Sequence, residues 1–183
     1  ELIALAKSKP GQLNFSSSGT GAIPHLSGER FKHMTGTDIQ HIPYKGTALA
    51  IPDIINGQIA MMFDSIVSVM PHIRSGKVKA LAISSQKRSA LLPELPTMIE
   101  AGVPGYVSDT YFGVFAPAGT PHEIIVRLNA ELVKIVHGAE TRERLLKLGA
   151  EPVGSTPEQL AAPVRTENAK WAKVIKDAGV KVE

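Results

Sequence analysis

Between residues 13 and 83, short apolar runs alternate with stretches of helical spacing, and only a few residues separate each from the next. Runs 13–16, 39–43, 59–63 and 78–83 read as strands. Stretches 25–34, 47–55 and the segment from Asp64-Ser65 to Arg74 read as helices, closed by Gly36, Asn56-Gly57 and Gly76. Thr47 is expected to cap the second of these. Strands joined through helices run parallel, with right-handed crossovers. Run 59–63, Ile-Ala-Met-Met-Phe, is apolar without interruption, as in a strand covered on both faces. The pattern restricts this segment to an α/β fold on a parallel sheet. Residues 1–8 read as the end of a helix stopped by Pro10-Gly11.

The first strand–helix junction carries the chemistry. LNFSSSGTGAIPH, residues 13–25, is a strand, a serine–glycine turn and a helix start. A helix start leaves backbone N–H groups free and carries a positive dipole end, which suits an anion. Gly19 and Gly21 permit positive φ and close approach of a ligand. Ser17, Ser18 and Thr20 complete the candidate loop, and hydroxyls of Ser18 and Thr20 can act as further donors. An ordinary βα turn with serine caps would use the same residues. The loop lacks the lysine of a P-loop and does not continue as G-x-G-x-x-G.

Composition narrows the function. The formal net charge is +3, basic and acidic residues are interleaved, and 5% of residues are aromatic. This argues against nucleic acid as a partner. The absence of cysteine excludes disulfides, thiolate metal sites and cysteine nucleophiles. No apolar run approaches the roughly 18 residues of a membrane helix. Histidines 33, 41, 72, 122 and 137 lack metal-ligand spacing, and no nucleophile elbow is present, so no metal, cofactor or catalytic set is expected. The chain opens inside a helical pattern with neither cap nor leader, which suggests a fragment.

From Ser84 the texture changes. Residues 84–105 are rich in proline and glycine, with a short helix expected at 97–101 and a strand at 109–115. Thr120-Pro121 with Glu123 reads as a capping box opening a helix to about residue 137, with Ile124, Leu128 and Leu132 on one face. A helix at 141–148, a short strand at 151–153 and a last helix from Thr156-Pro157-Glu158 follow, the last carrying Trp171 and Ile175. These apolar helix faces need a sheet that the region itself does not supply.

HIPYKGTALAIPDIINGQIAMMFDS, then PHIRSGKVKALAISSQKRSALLPELPTMIEAGVPGY, then FAPAGTP and RLNAEL resemble the solute receptors of tripartite tricarboxylate transporters, the Bug receptors, in matching order along the chain. The resemblance implies an α/β fold of the type II periplasmic-binding-protein kind, with two lobes and a cleft. It implies a periplasmic receptor that captures a small carboxylate, of di- or tricarboxylate or acidic amino acid type, for membrane transporter subunits. It implies no enzyme activity. Residues 8–107 would form a complete ligand-binding lobe and 108–116 a hinge. Residues 117–183 would be the mainly helical, C-terminal part of an incomplete second lobe. A leader and roughly a hundred further residues would precede Glu1. Such receptors usually carry Ser or Thr just after the SSG-x-G turn, where this chain has Ala22 and Ile23.

Other candidate ligand contacts sit at strand ends or near the hinge. Asp64 would orient Ser65, a loop amide or an ammonium group of the ligand, or else cap the next helix. His25 would donate to a carboxylate or serve structure alone. Lys45 beside Tyr44 would add positive potential, or be an ordinary surface lysine. Tyr111 would line the cleft or pack in the core. Two rival functions share these features: the effector-binding domain of a transcription regulator, and an enzyme gripping a nucleotide phosphate. The apolar helix faces lead to an expected homodimer of the fragment.

Overall fold

The computed structural model describes residues 1–180. Strand β1 (Leu13–Ser17) lies between β2 (Ile39–Pro43) and β3 (Met61–Met62), and both pairings are parallel. Phe15 stands opposite His41 on one side and Met61 on the other. Side chains in register point to the same face, so these three share one. Helix α1 (Leu2–Ser8) precedes the sheet, and α2 (Ile23–Thr35), α3 (Thr47–Ile55) and α4 (Ile66–Arg74) alternate with or follow its strands.

Helix α2 buries Leu26 and Phe31, and Gly28 lets it settle onto β1. A methyl group at Gly28 would lie 2.1 Å from the Phe15 ring. The core joins Ala6, Phe15, Phe31, Ile39, Met61, Val103 and Tyr106. Phe63 meets Phe15 edge-on at 6.0 Å and Phe31 at 5.4 Å. The segment ending at Ser108 is tied back to α2 by polar contacts. The Tyr106 hydroxyl donates to Ser27 O at 2.8 Å, and Arg30 donates to Val107 O at 2.5 Å and Gly105 O at 2.9 Å. Burial holds the Tyr106 hydroxyl well above the ordinary tyrosine pKa.

Several expected strands are shorter or absent. Ile59 gives its N–H to Asp53 O, and Ala60 gives its own to the Asn14 side chain, so ladder pairing begins only at Met61. Stretch 78–83 pairs at Ile83 alone, with Thr97. The partner turns away at once, with Ala101 N–H donating to Thr97 O. The expected helix at 97–101 is that turn, closed by reciprocal bonds between Thr97 and Glu100. Residues 109–115 and 151–153 form no strand, and Phe112 is 74% exposed.

The capping expectations also shift. Thr47 does not cap α3; its hydroxyl donates to Asp64. Thr120 turns its hydroxyl to Pro117 O, so no box forms with Glu123, and α5 (His122–His137) starts behind Pro121. Helix α6 (Ala139–Leu148) follows. The reciprocal box belongs to Thr156 and Gln159, at the start of α7 (Pro157–Asp177).

The chain divides into two units, Glu1–Asp109 with the chain from Trp171, and Thr110–Lys170. The first contains the sheet. The second contains α5, α6 and α7 up to Lys170. Trp171, expected on an uncovered helix face, is buried.

Candidate anion-binding site

All three parallel strands end at one edge of the sheet. From β1 the chain crosses through α2 to one neighbour, and from β2 it crosses through α3 to the other. Strand order therefore reverses beside β1, and the crevice outside such a reversal is where open α/β sheets hold ligands. Loops 18–22, 44–46 and 63–65 meet this edge. They bring Ser17, Ser18, Gly19, Thr20, Gly21, His25, Tyr44, Lys45, Asp64 and Ser65 to one end of the sheet. Tyr111 belongs to the second unit and is 41% exposed there.

The glycine loop is built from inside. Gly19 has φ 146° and Gly21 φ 80°, regions that side chains disfavour. Ala22 N–H donates to Gly19 O, closing the turn. Ser17 is buried, and its hydroxyl is engaged within the protein. It accepts from Gly19 N–H at 3.2 Å and lies 3.1 Å from Gly19 O and 2.7 Å from His41 Nε2. Thr20 is exposed at the crown, and Ser18 is half-buried. Neither α2 nor α3 has a side-chain cap; Pro24 brings no N–H to the first turn of α2 and the Leu49 N–H of α3 is held by Gly46 O, so the other first-turn N–H groups remain open at this edge. The available chemistry is donation to an anion from the backbone amides other than those of Gly19, Gly21 and Ala22, which bond within the protein, from the Thr20 and Ser18 hydroxyls, and from two dipole ends.

His25 is buried beneath the loop, with its Nδ1 accepting the Gly21 N–H at 3.0 Å. His41 stacks on it, with ring centroids 3.8 Å apart and planes 15° from parallel. Burial is the main cause that lowers both pKa values, taking His41 to about 4, and Lys32 pushes in the same direction. Glu29 opposes the shift at His25. Both imidazoles are therefore neutral at pH 7. The Ser17–His41 contact resembles a nucleophile and its base, but Ser17 is buried and its hydroxyl is already an acceptor for Gly19, so it is not presented to a substrate.

Across the crevice Asp64 accepts from the Thr47 hydroxyl at 2.6 Å and from Ser65 N–H at 2.7 Å. It ties the starts of α3 and α4 together, and the cap of α4 is Ser65, whose hydroxyl accepts from Val67 N–H. The Tyr44 hydroxyl donates to Asp53 at 2.5 Å, while Lys45 is exposed. Among the described residues no group of His, Asp and Glu could hold a metal.

Sequence reasoning missed His41 and Thr47. His41 was legible as the middle of Ile39, His41, Pro43, the alternate positions that match Leu13, Phe15, Ser17 in register. Thr47 was read only as a cap, since its bond to Asp64 spans 17 residues.

The chain is similar to several known proteins along its whole length. Protein BugT of Bordetella pertussis is 38% identical over 182 residues, covering 100% of this chain and 56% of that protein. The structure of Rpa4515 from R. palustris with adipate superposes with a TM-score of 0.91 at 38% identity, covering 98% of this chain and 60% of that one. The periplasmic binding protein BugD superposes with a TM-score of 0.88 at 36% identity, covering 100% and 62%. The chain thus has the α/β fold of the periplasmic binding proteins, and it spans about half the length of the curated relatives it matches. The model of the Tripartite tricarboxylate transporter family receptor matches residues 1–180, and with a parallel sheet whose reversal point carries an uncapped glycine loop, the chain belongs to that family of receptors rather than to an enzyme family.

Proposed function

We propose that this chain is part of a periplasmic receptor that captures a small dicarboxylate and delivers it to the membrane subunits of a tripartite transporter. The observation that carries this reading is the glycine loop at the strand-order reversal, with uncapped helix starts on α2 and α3. One carboxylate of the ligand is received at the Ser18, Gly19, Thr20 and Gly21 turn through the N–H groups and hydroxyls of Ser18 and Thr20, while the N–H groups of Gly19 and Gly21 are held by Ser17 and His25 and give the turn its shape. Ser17 and His25 shape the loop from beneath. Asp64 holds Thr47 and Ser65 in place rather than touching the anion, since like charges repel. Tyr44 and Lys45 flank the site, and Tyr111 of the second unit is a further candidate contact. The adipate of Rpa4515 is the guide to ligand size.

In this reading residues 8–107 form the gripping lobe, 108–116 the hinge, and 117–183 contribute to the other lobe. Capture works by closure about the hinge, stabilised by contacts that exist only in the closed state. Two copies of the chain pair through the exposed α5 face.

The test is a titration of this chain with adipate, followed by amide NMR shifts. The expected result is movement confined to the loops at the sheet edge, with a dissociation constant in the millimolar range, about −4 kcal/mol. One lobe alone offers only a few bonds, each contributing about 0.5–1.5 kcal/mol net. Gly21→Val should abolish the shifts, because valine does not tolerate φ 80°. Unchanged loop shifts in that variant would rule the loop out as the anchor.

A further inference from the structure

His25 and His41 are the two titratable groups at the loop that donation to an anion does not use. A backbone N–H can only donate. The 3.0 Å contact from Gly21 N–H to His25 Nδ1 therefore requires that Nδ1 carry no proton. The neutral ring then holds its proton on Nε2, which faces Glu29 Oε1 at 3.9 Å. His41 lies flat on the same ring and grips the other end of the loop through Ser17, whose hydroxyl holds Gly19. The arrangement that satisfies all the contacts of Ser17 has His41 Nε2–H donating to its oxygen and its own proton on Gly19 O. Both glycines of the loop are thus fixed by one stacked pair.

We propose that His25, backed by His41, is the positioning residue of the anion loop: as a neutral acceptor it holds the Gly21 N–H and thereby sets the loop in its receiving shape. This inference rests on the proposed anion site, but it concerns what shapes the loop and not what fills it. A second proton on His25 would set N–H against N–H at Gly21 and break the bond. The titratable and charged neighbours of the ring are Glu29 and Lys32 of α2 and His41 of β2; β1 supplies the Phe15 ring and the Ser17 hydroxyl. Burial and Lys32 work against the proton on His25 and Glu29 works for it, while His25 in turn works against a proton on His41. The loop is consequently held at neutral pH and released in acid.

The experiment is NMR on the whole chain without ligand. Imidazole 15N shifts give the tautomer of His25, and hydrogen exchange gives the protection of the Gly21 amide. The expected result at pH 8 is a bare Nδ1 on His25 and a protected Gly21 N–H. On acidification Gly21 protection should fall in step with the titration of His25 itself, while amides of β1 and β2 stay protected. His25→Asn places an oxygen where Nδ1 stood and should keep Gly21 protection within about threefold, with no acid dependence. His25→Phe fills the space without an acceptor and should lose protection roughly tenfold or more. An Nδ1–H tautomer at pH 8, a Gly21 amide indifferent to the His25 titration, or an asparagine variant that behaves like phenylalanine would each overturn the proposal. The wild-type and asparagine measurements decide the matter even if His25→Phe does not fold. Failure of adipate to move the loop amides, with these readouts as expected, would count against the proposed ligand and leave the positioning role standing.

Discussion

The two units use apolar residues in opposite ways. In the first, Phe15, Phe31, Ile39, Met61 and Tyr106 are withdrawn from water around a three-stranded sheet. In the second, Gly149 is the one buried residue between Thr110 and Lys170. Helix α5 has a well-formed apolar stripe, yet Ile124, Leu128 and Ile135 are each close to half exposed. An amphipathic pattern states that a face can be covered, whereas burial needs a partner surface of matching shape. The first unit has one because β1 sits between two strands and α2 closes on it through Gly28. Its precision extends to the loop, where two imidazoles are stacked and hydrogen-bonded.

The sharpest test of this contrast is a pair of truncations. Phe15→Ala removes a fully buried ring touching His41 and Phe63 and should cost about 3–5 kcal/mol in urea unfolding. Leu128→Ala on the half-exposed α5 should stay within about 0.5 kcal/mol. Comparable costs at the two positions would break the comparison.

Acid should act on the first unit. His25 and His41 have pKa values lowered by burial, so folding favours their neutral forms. The unfolded chain binds protons first, near pH 6.5. Stability is therefore complete above that pH and falls as pH drops toward about 4, where His41 titrates in the fold. The part of that loss due to His41 is about 3 kcal/mol at most. Unfolding curves of wild type and His41→Phe at pH 7.5 and 4.5 measure it, and the variant should lose less on acidification. An equal loss in both would remove His41 from the account.

A smaller effect tests local order in the second unit. Thr156→Ala deletes one half of the Thr156–Gln159 box and should destabilise the start of α7 by about 1 kcal/mol, read as lost helicity by circular dichroism. The weakest expected effect is association. Light scattering across a dilution series should show pairing that Leu128→Asp removes, while Trp171 emission stays that of a buried indole in both. A monomeric mass at every concentration would mean that the α5 face is left uncovered by a second copy.

Much of the first unit was legible in the residues. The alternation from Leu13 onward and its stops at Gly36 and Asn56-Gly57 specified β1, α2, β2 and α3 nearly to the residue, because periodicity and termination are local properties. The loop was legible for the same reason: Gly19 and Gly21 occur where φ must be positive. The strand expected at 78–83 was not, because ladder bonds depend on a partner, and its partner curls away after Met98.

By itself the sequence determined the α/β class, most helix boundaries and the place of the glycine loop, since these follow from periodicity and backbone conformation. Tertiary structure alone decided which residues hold that loop. His41 reaches Ser17 across 24 residues and lies on His25, and Thr47 abandons its helix for Asp64 across 17. A polar side chain bonds whatever donor or acceptor the packed chain brings nearest, and that choice is made only when β2 and β3 take their places on either side of β1.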